Sequence, residues 1–287
     1  MELREPEGLG LWIWRLPLCM EGKLNKIVER CHAARIFWLA IKSGDSDSNG
    51  QITPTLIQTL HEGGIGIYTW NYSTPGTTDR QIRQIGDMLA MGVDGHIVDA
   101  EIEWEGTDRR PEADMFMRKL RQRVGYDAWI AHCPWWAPKS HPLFPWAEFG
   151  QVTNAQMPQV YWTMDKHAKA KDMILKSEQQ WLELVLKMPK AVSLRSPIGS
   201  IFHGTKENAV PNGQLCSSTD VATFLNRCEE NAQTVPFWSL YSWDSCPPEI
   251  WQLLIERADV LRGLSEALKI PAPDLTQPVD PEDPEAA

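Results

Sequence analysis

Eight short apolar segments alternate with amphipathic helical stretches along almost the whole chain, and that order leaves few folds open. The apolar segments run over residues 11–15, 36–41, 66–70, 96–103, 128–132, 159–163, 191–196 and 236–243. Helical periodicity falls at 23–34, 53–62, 78–91, 111–124, 166–187, 220–232 and 249–268, and an aromatic loop fills 133–150. The stretch 78–91 puts Ile82, Ile85, Met88 and Leu89 on one side, and Gly92 stops it. Gly63-Gly64 end the helix before the third strand, and Pro111 opens the helix after the fourth. In 287 residues this alternation predicts an α/β protein, a single irregular (β/α)8 TIM barrel over residues 1–270. No GxGxxG follows the first strand, which disfavours a dinucleotide fold. Residues 271–287 are rich in Pro and acid and hold no basic residue, so a disordered tail is expected there.

Charge narrows the partners. With 28 Lys and Arg against 38 Asp and Glu, the net charge is −10. Nucleic acid and anionic membrane surfaces both call for clustered cations, so neither is expected as a partner. The N-terminus has no basic start followed by a long apolar run, so no signal peptide is expected. The chain would then be cytoplasmic as synthesised, with release or delivery to the cell envelope required of a wall-degrading enzyme. Six scattered cysteines form no CxxC pair and carry no His at zinc spacing. They read as reduced, buried thiols; no metal and no organic cofactor is expected. Fourteen tryptophans are more than a core needs, which points to rings on the floor and walls of a pocket.

In a (β/α)8 barrel the active site lies at the C-terminal ends of the strands. The fourth segment reads Ile97-Val98-Asp99-Ala100-Glu101-Ile102-Glu103-Trp104. If the strand runs its full length, alternation puts Asp99, Glu101 and Glu103 on one face and Val98, Ala100 and Ile102 on the other. The apolar face must meet the helices, so the acids must point into the barrel mouth. Crowding and burial raise carboxyl pKa values, and glycoside hydrolysis uses one protonated and one ionised carboxyl. Salt-bridged or solvated acids at a strand end are the plainer alternative.

Other strand ends supply candidate binding groups. Lys42 ends the second strand, either pairing with the acids or facing solvent, and Trp70 ends the third. His132 ends the fifth, as a structural hydrogen-bonding group or a site group. Gln159 and Tyr161 share a face of the sixth, and Trp162 follows. Ser239, Tyr241 and Trp243 share a face of the eighth, with Asp244 just after it, and Trp12 and Trp14 alternate on the first. Flat aromatic faces beside acids suit sugar rings.

Several of these runs resemble known families. Phe37-Trp38-Leu39-Ala40-Ile41-Lys42-Ser43-Gly44-Asp45, Gly64-Ile65-Gly66-Ile67-Tyr68-Thr69-Trp70 and Val98-Asp99-Ala100-Glu101 resemble the second, third and fourth strands of glycoside hydrolase family 25, the lysozyme-type barrel. Asp94-Gly95 with Asp99-Ala100-Glu101 is similar to the ends of the acidic motif of family 18 chitinases, with Ile97 at an inner acid position. Trp238-Ser239-Leu240 and Asp244 resemble that family's eighth strand. Barrels of unassigned activity share the Asp-Ala-Glu stretch and Pro158-Gln159-Val160-Tyr161-Trp162.

The resemblance implies Glu101 as proton donor and Asp99 as the group that positions a substrate amide or stabilises charge. The lysozyme-type family has a catalytic Asp at the end of strand one, where this chain has Leu11-Trp12-Ile13-Trp14. Glu103 would replace that Asp, or the substrate's own amide would, or catalysis is lost. The expected activity is a glycosidase of lysozyme or muramidase type acting on peptidoglycan or a chitin-like polymer of N-acetylated sugars. In it Gln159 and Tyr161 hold the sugar, and Trp70, Trp104, Trp162 and Trp243 wall the cleft. The alternatives are a carbohydrate-binding barrel without turnover, or a structural component of a larger phage- or injection-system-like assembly attached through the acidic tail.

Overall fold

The strand ladder closes on itself. The computed structural model describes residues 5–45, 47–105, 109–188, 194–204 and 213–267, so the 271–287 stretch and residues 191–193 lie outside the described residues. Parallel pairing runs β10 (Phe237–Tyr241), β1 (Gly8–Ile13), β2 (Trp38–Gly44), β3 (Gly66–Ser73), β4 (Gly95–Ala100), β5 (Trp129–Cys133) and β6 (Ala155–Gln156). β6 continues to β8 (Leu194–Arg195), while β7 (Gln159–Val160) pairs with β9 (Ile198–Ser200), which returns to β10.

β6 and β7 are two pieces of one barrel stave, interrupted at Met157-Pro158; β8 and β9 are two pieces of the next, interrupted at Ser196-Pro197. Proline has no N–H for the ladder. The bonds Ser196 N to Gln156 O (2.7 Å) and Ile198 N to Pro158 O (2.9 Å) carry the pairing across both breaks. The result is the expected α/β barrel, irregular at staves six and seven. The sixth stave therefore starts earlier than 159–163, and Trp162–Met164 forms a single helical turn beyond it.

Helices α1 (Leu24–Ala33), α2 (Pro54–Glu62), α3 (Thr78–Met91), α4 (Arg110–Val124), α5 (Trp146–Gly150), α6 (Ala170–Lys187), α7 (Ser218–Glu230) and α8 (Pro248–Ala267) follow the strands in order. Their ends obey local chemistry. Thr53 caps α2 by accepting from Leu56 N at 3.2 Å, and Gly92 ends α3 at φ 107°, a region that favours glycine. Among the described residues no helix is long and apolar enough to cross a membrane.

Alternation along each strand sorts the core. In β2, Leu39 and Ile41 face the helices while Trp38 and Ala40 face the barrel interior. Four interior rings close a cycle of edge contacts: Trp38–Tyr68 (5.5 Å), Tyr68–Trp129 (5.0 Å), Trp129–Phe237 (5.9 Å) and Phe237–Trp38 (6.0 Å). Each such pair contributes about 0.5–1.5 kcal/mol beyond its buried area. Two glycines make room for them. A Cβ on Gly10 would stand 2.0 Å from the Trp38 ring, and one on Gly95 would stand 2.8 Å from that of Trp129. Part of the tryptophan count is thus a core property: Trp38, Trp104, Trp129 and Trp162 are all fully buried.

Behind the barrel wall, a buried polar chain fixes β3 to β4. His96 Nε2 donates to Asn71 Oδ1 at 2.7 Å, and its Nδ1 accepts from Thr69 Oγ1 at 2.8 Å. Burial lowers the His96 pKa to about 3, so the ring is neutral. Asp94, at the entrance of β4, accepts from Ile67 N (2.7 Å) and bonds His61 Nε2 (3.0 Å), away from the strand's C-terminal end.

Candidate active site

A cleft of about 670 Å³ opens at the C-terminal ends of the strands. Its floor is Trp12, Trp70, Asp99, Glu101, Cys133, Gln159, Tyr161, Phe202 and Tyr241, drawn from or just beyond seven different strands. This size and mixture of rings with a few convergent polar groups are those of a small-molecule site.

The acids do not sit as strict alternation predicts. β4 ends at Ala100, and Glu101 leaves the extended region (φ −127°, ψ −139°). Ile102–Trp104 then makes one helical turn that sends Trp104 into the core, where it stacks on Phe116 (5.7 Å) and bonds Ser73 O (3.0 Å). That turn leaves Ile102 54% exposed instead of against the helices. It also takes Glu103 out of the cleft lining; its Oε2 accepts from Tyr72 Oη at 2.5 Å.

Asp99 and Glu101 remain together. Gln159 Nε2 bridges them, donating to Asp99 Oδ1 at 3.0 Å and to Glu101 Oε1 at 2.7 Å. Burial is the main cause raising both pKa values. For Asp99 the charge of Glu101 adds to it, while the Cys133 thiol, which donates to Asp99, and Lys42 oppose it. For Glu101 the Gln159 bond opposes it and Glu103 adds to it. Asp99 is the more buried of the two, so we assign it the higher affinity for the proton the pair shares. Tyr161 and Tyr241 stack at 5.6 Å beside the pair, and burial raises both phenols.

The other sequence candidates lie elsewhere. Trp70 lines the cleft and donates to Ile13 O at 3.1 Å. Lys42 stands behind it, 5.0 Å over its ring, paired with Asp45 at 2.9 Å, and reaches the acids only through its field. His132 points outward from β5; it meets Thr153 Oγ1 at 3.1 Å, stacks on Phe149, and burial lowers its pKa to about 3. Trp162 is buried against Phe224, Trp243 packs on Trp251, and neither reaches the cleft. Asp244 accepts from Trp14 N at 3.1 Å and ties the end of β10 to β1. Sequence reasoning missed Cys133 and Phe202 on the floor; the inward set Trp129, Ala131, Cys133 was the available signal for the first.

A stability consequence follows. A carboxyl with a raised pKa supports the fold below its unfolded value, about 4, and that support is lost as pH rises toward the folded value. Asp99→Asn removes the cost, so its melting temperature is expected to exceed that of the parent at pH 8, by about 2–4 °C per kcal/mol recovered, and to match it near pH 4. Thermal unfolding across that range checks this; a variant less stable at pH 8 would mean Asp99 is ionised and well solvated.

No family model matches the chain, and no curated relative does. Among solved structures the chain is similar to a chitinase from Bacteroides thetaiotaomicron (TM-score 0.61, 12% identity, 88% of this chain and 95% of that one). It is similar to the Bacillus cereus spore cortex-lytic enzyme SleL (0.57, 12%, 87% and 74%). It is also similar to a family 18 N-acetylglucosaminidase from Paenibacillus barengoltzii (0.58, 8%, 88% and 99%). At such identities the likeness establishes the barrel. One of the three is a family 18 enzyme, and no family 25 enzyme is among them.

Proposed function

We propose that the chain is a glycosidase that cleaves a polymer of N-acetylated sugars, with the substrate's own acetamide supplying the nucleophile, in the manner of family 18 rather than of lysozyme-type family 25. The observation that carries this reading is the Asp99–Glu101 pair on one strand end, bridged by Gln159. The remaining carboxylates of the described lining, Asp165 and Asp172, are exposed on the outer rim. The floor therefore offers an acid and its neighbour, but no carboxylate on a facing wall to attack the sugar. Trp12 stands where a first-strand acid would be needed.

In this reading Glu101 protonates the glycosidic oxygen while the acetamide carbonyl oxygen attacks C1 and displaces the leaving sugar. The proton that Asp99 holds in the empty site passes to Glu101 as the substrate enters, and Asp99, now ionised, accepts the acetamide N–H and stabilises its developing positive charge. Tyr161 hydrogen-bonds the carbonyl oxygen, and Trp12, Trp70 and Tyr241 hold the ring. Water, deprotonated by Glu101, then opens the cyclic intermediate, returning the acetamide and retaining the anomeric configuration.

Incubation with chitin oligosaccharides and with peptidoglycan, followed by reducing-end and anomer analysis, tests the reading. Release with retention supports it. Inversion would require a carboxylate general base and would sink the acetamide step. Tight binding of both polymers with no release would favour the lectin-like barrel.

The Gln159 bridge makes a further prediction. Its N–H stabilises ionised Glu101, so Gln159→Leu raises the Glu101 pKa. The basic limb of the kcat/KM profile, where the acid is lost, is then expected to move to higher pH. An unmoved or lowered limb would show that Glu101 is not the group titrating there.

A further inference from the structure

We propose that Cys133 is a positioning residue for the reaction: its thiol holds Asp99 in the ionised form and so moves the shared proton to Glu101, the arrangement that cleavage needs. This rests on the glycosidase reading above, in which Glu101 must carry the proton while Asp99 accepts the acetamide N–H.

Parallel pairing brings the two side chains together. Cys133 ends β5 and is the register partner of Asp99 on β4. Adjacent strands lie about 4.8 Å apart, and both side chains point into the barrel, so the thiol meets the carboxyl on the cleft floor. Both groups are buried there. The other five cysteines pack in or against the apolar layer between strands and helices, away from the cleft.

The two donors to Asp99 act differently. Gln159 Nε2 bonds Asp99 and Glu101 alike, so it stabilises charge on either and does not decide which carries the proton. The thiol donates to Asp99 and makes no such bond to Glu101. This one-sided bond favours charge on Asp99 and the proton on Glu101. Lys42 adds to the bias through its field. The other titratable groups that feel Asp99, Tyr72, Tyr161 and Tyr241, are phenols that burial keeps neutral. Burial, with the charge of Asp99 adding to it, raises the Cys133 thiol well above the ordinary thiol range. It therefore stays S–H throughout the pH range of catalysis, a donor that brings no charge of its own. The proton that moves leaves an Asp99 oxygen and arrives on a Glu101 oxygen; the thiol keeps its own.

This bias has a pH signature that packing alone would lack. In the empty site Asp99 holds the proton, so on the kcat/KM plateau the reaction must first ionise Asp99, and the thiol assists that step. Above the basic limb both carboxyls are already ionised before the substrate binds. The thiol then stabilises the starting and reacting states equally, and its removal has no effect on the rate.

The kcat/KM profile for cleavage of a chitin tetrasaccharide, compared between the parent, Cys133→Ala and Cys133→Ser, tests the role. Cys133→Ala is expected to lower the plateau about tenfold, to move the basic limb up by about one pH unit, and to merge with the parent profile above it. Cys133→Ser keeps a donor and is expected to hold the plateau within about threefold of the parent, with the limb in place. Melting temperatures show that both variants are folded. A loss of similar size at every pH, no loss at all, or Cys133→Ser behaving as Cys133→Ala would overturn the role of the thiol and leave the proposed function standing. No cleavage by the parent would overturn the proposed function, and the role of Cys133 with it.

Discussion

Glu101→Gln is expected to lower kcat on N-acetylated oligosaccharides by about 10³-fold, within the range a positioned general acid supplies. KM and melting temperature are expected to change little, because Gln keeps the shape and still accepts the Gln159 N–H that Glu101 accepts at 2.7 Å. What it loses is the proton. Glu101 is half-buried and its pKa is raised mainly by that burial, which keeps the acid form populated toward neutral pH. The matched control is Glu103→Gln. Glu103 lies outside the cleft lining on the Tyr72 hydroxyl, so its change is expected to cost less than about tenfold, through loss of its field on Glu101. Initial rates for both variants decide the assignment. A collapse with Glu103→Gln and near-normal rates with Glu101→Gln would exchange the two roles.

That contrast also marks where the sequence was legible. Strand–helix alternation was enough for the barrel, because a β-period or helix-period face must be buried somewhere. Helix α3 appears over Thr78–Met91, as its periodicity and Gly92 require. Gln159 meets Asp99 and Glu101 because both stave ends open on the same barrel mouth, a consequence of the fold class alone.

The end of β4 was not legible. Nothing in the polarity of Asp99 to Trp104 distinguishes four more strand residues from a turn. The turn prevails because Trp104 has a slot between Phe116 and Phe149, and α4 and α5 build that slot from distant sequence. The tryptophans misled for a related reason. An indole is suited both to a cleft and to a core, and only the closed barrel shows that Gly10 and Gly95 leave interior space that rings must fill. Proline breaks at Pro158 and Pro197 shifted staves six and seven by several residues, since each half-stave is too short to show a period of two.

Trp104→Ala separates the two kinds of tryptophan most sharply. The ring is fully buried, stacked on Phe116 and edge-on to Phe149 at 5.2 Å. Deleting it leaves a cavity that α4 and α5 must either tolerate or collapse around, at a cost of about 3–5 kcal/mol. The Ser73 carbonyl also loses the indole N–H it accepts at 3.0 Å, and a buried acceptor without a partner adds to the loss. In a chain of this size that corresponds to a fall in melting temperature of roughly 6–20 °C, at 2–4 °C per kcal/mol. Denaturant unfolding with the slope monitored measures it. KM of the folded variant is expected to stay near that of the parent, because the ring touches no cleft residue's polar group and lies behind the barrel wall. A stability loss under about 1 kcal/mol together with a raised KM would place Trp104 back on the cleft wall. It would also imply that residues 102–104 can leave their helical turn and extend β4, bringing Glu103 to the mouth beside Asp99 and Glu101.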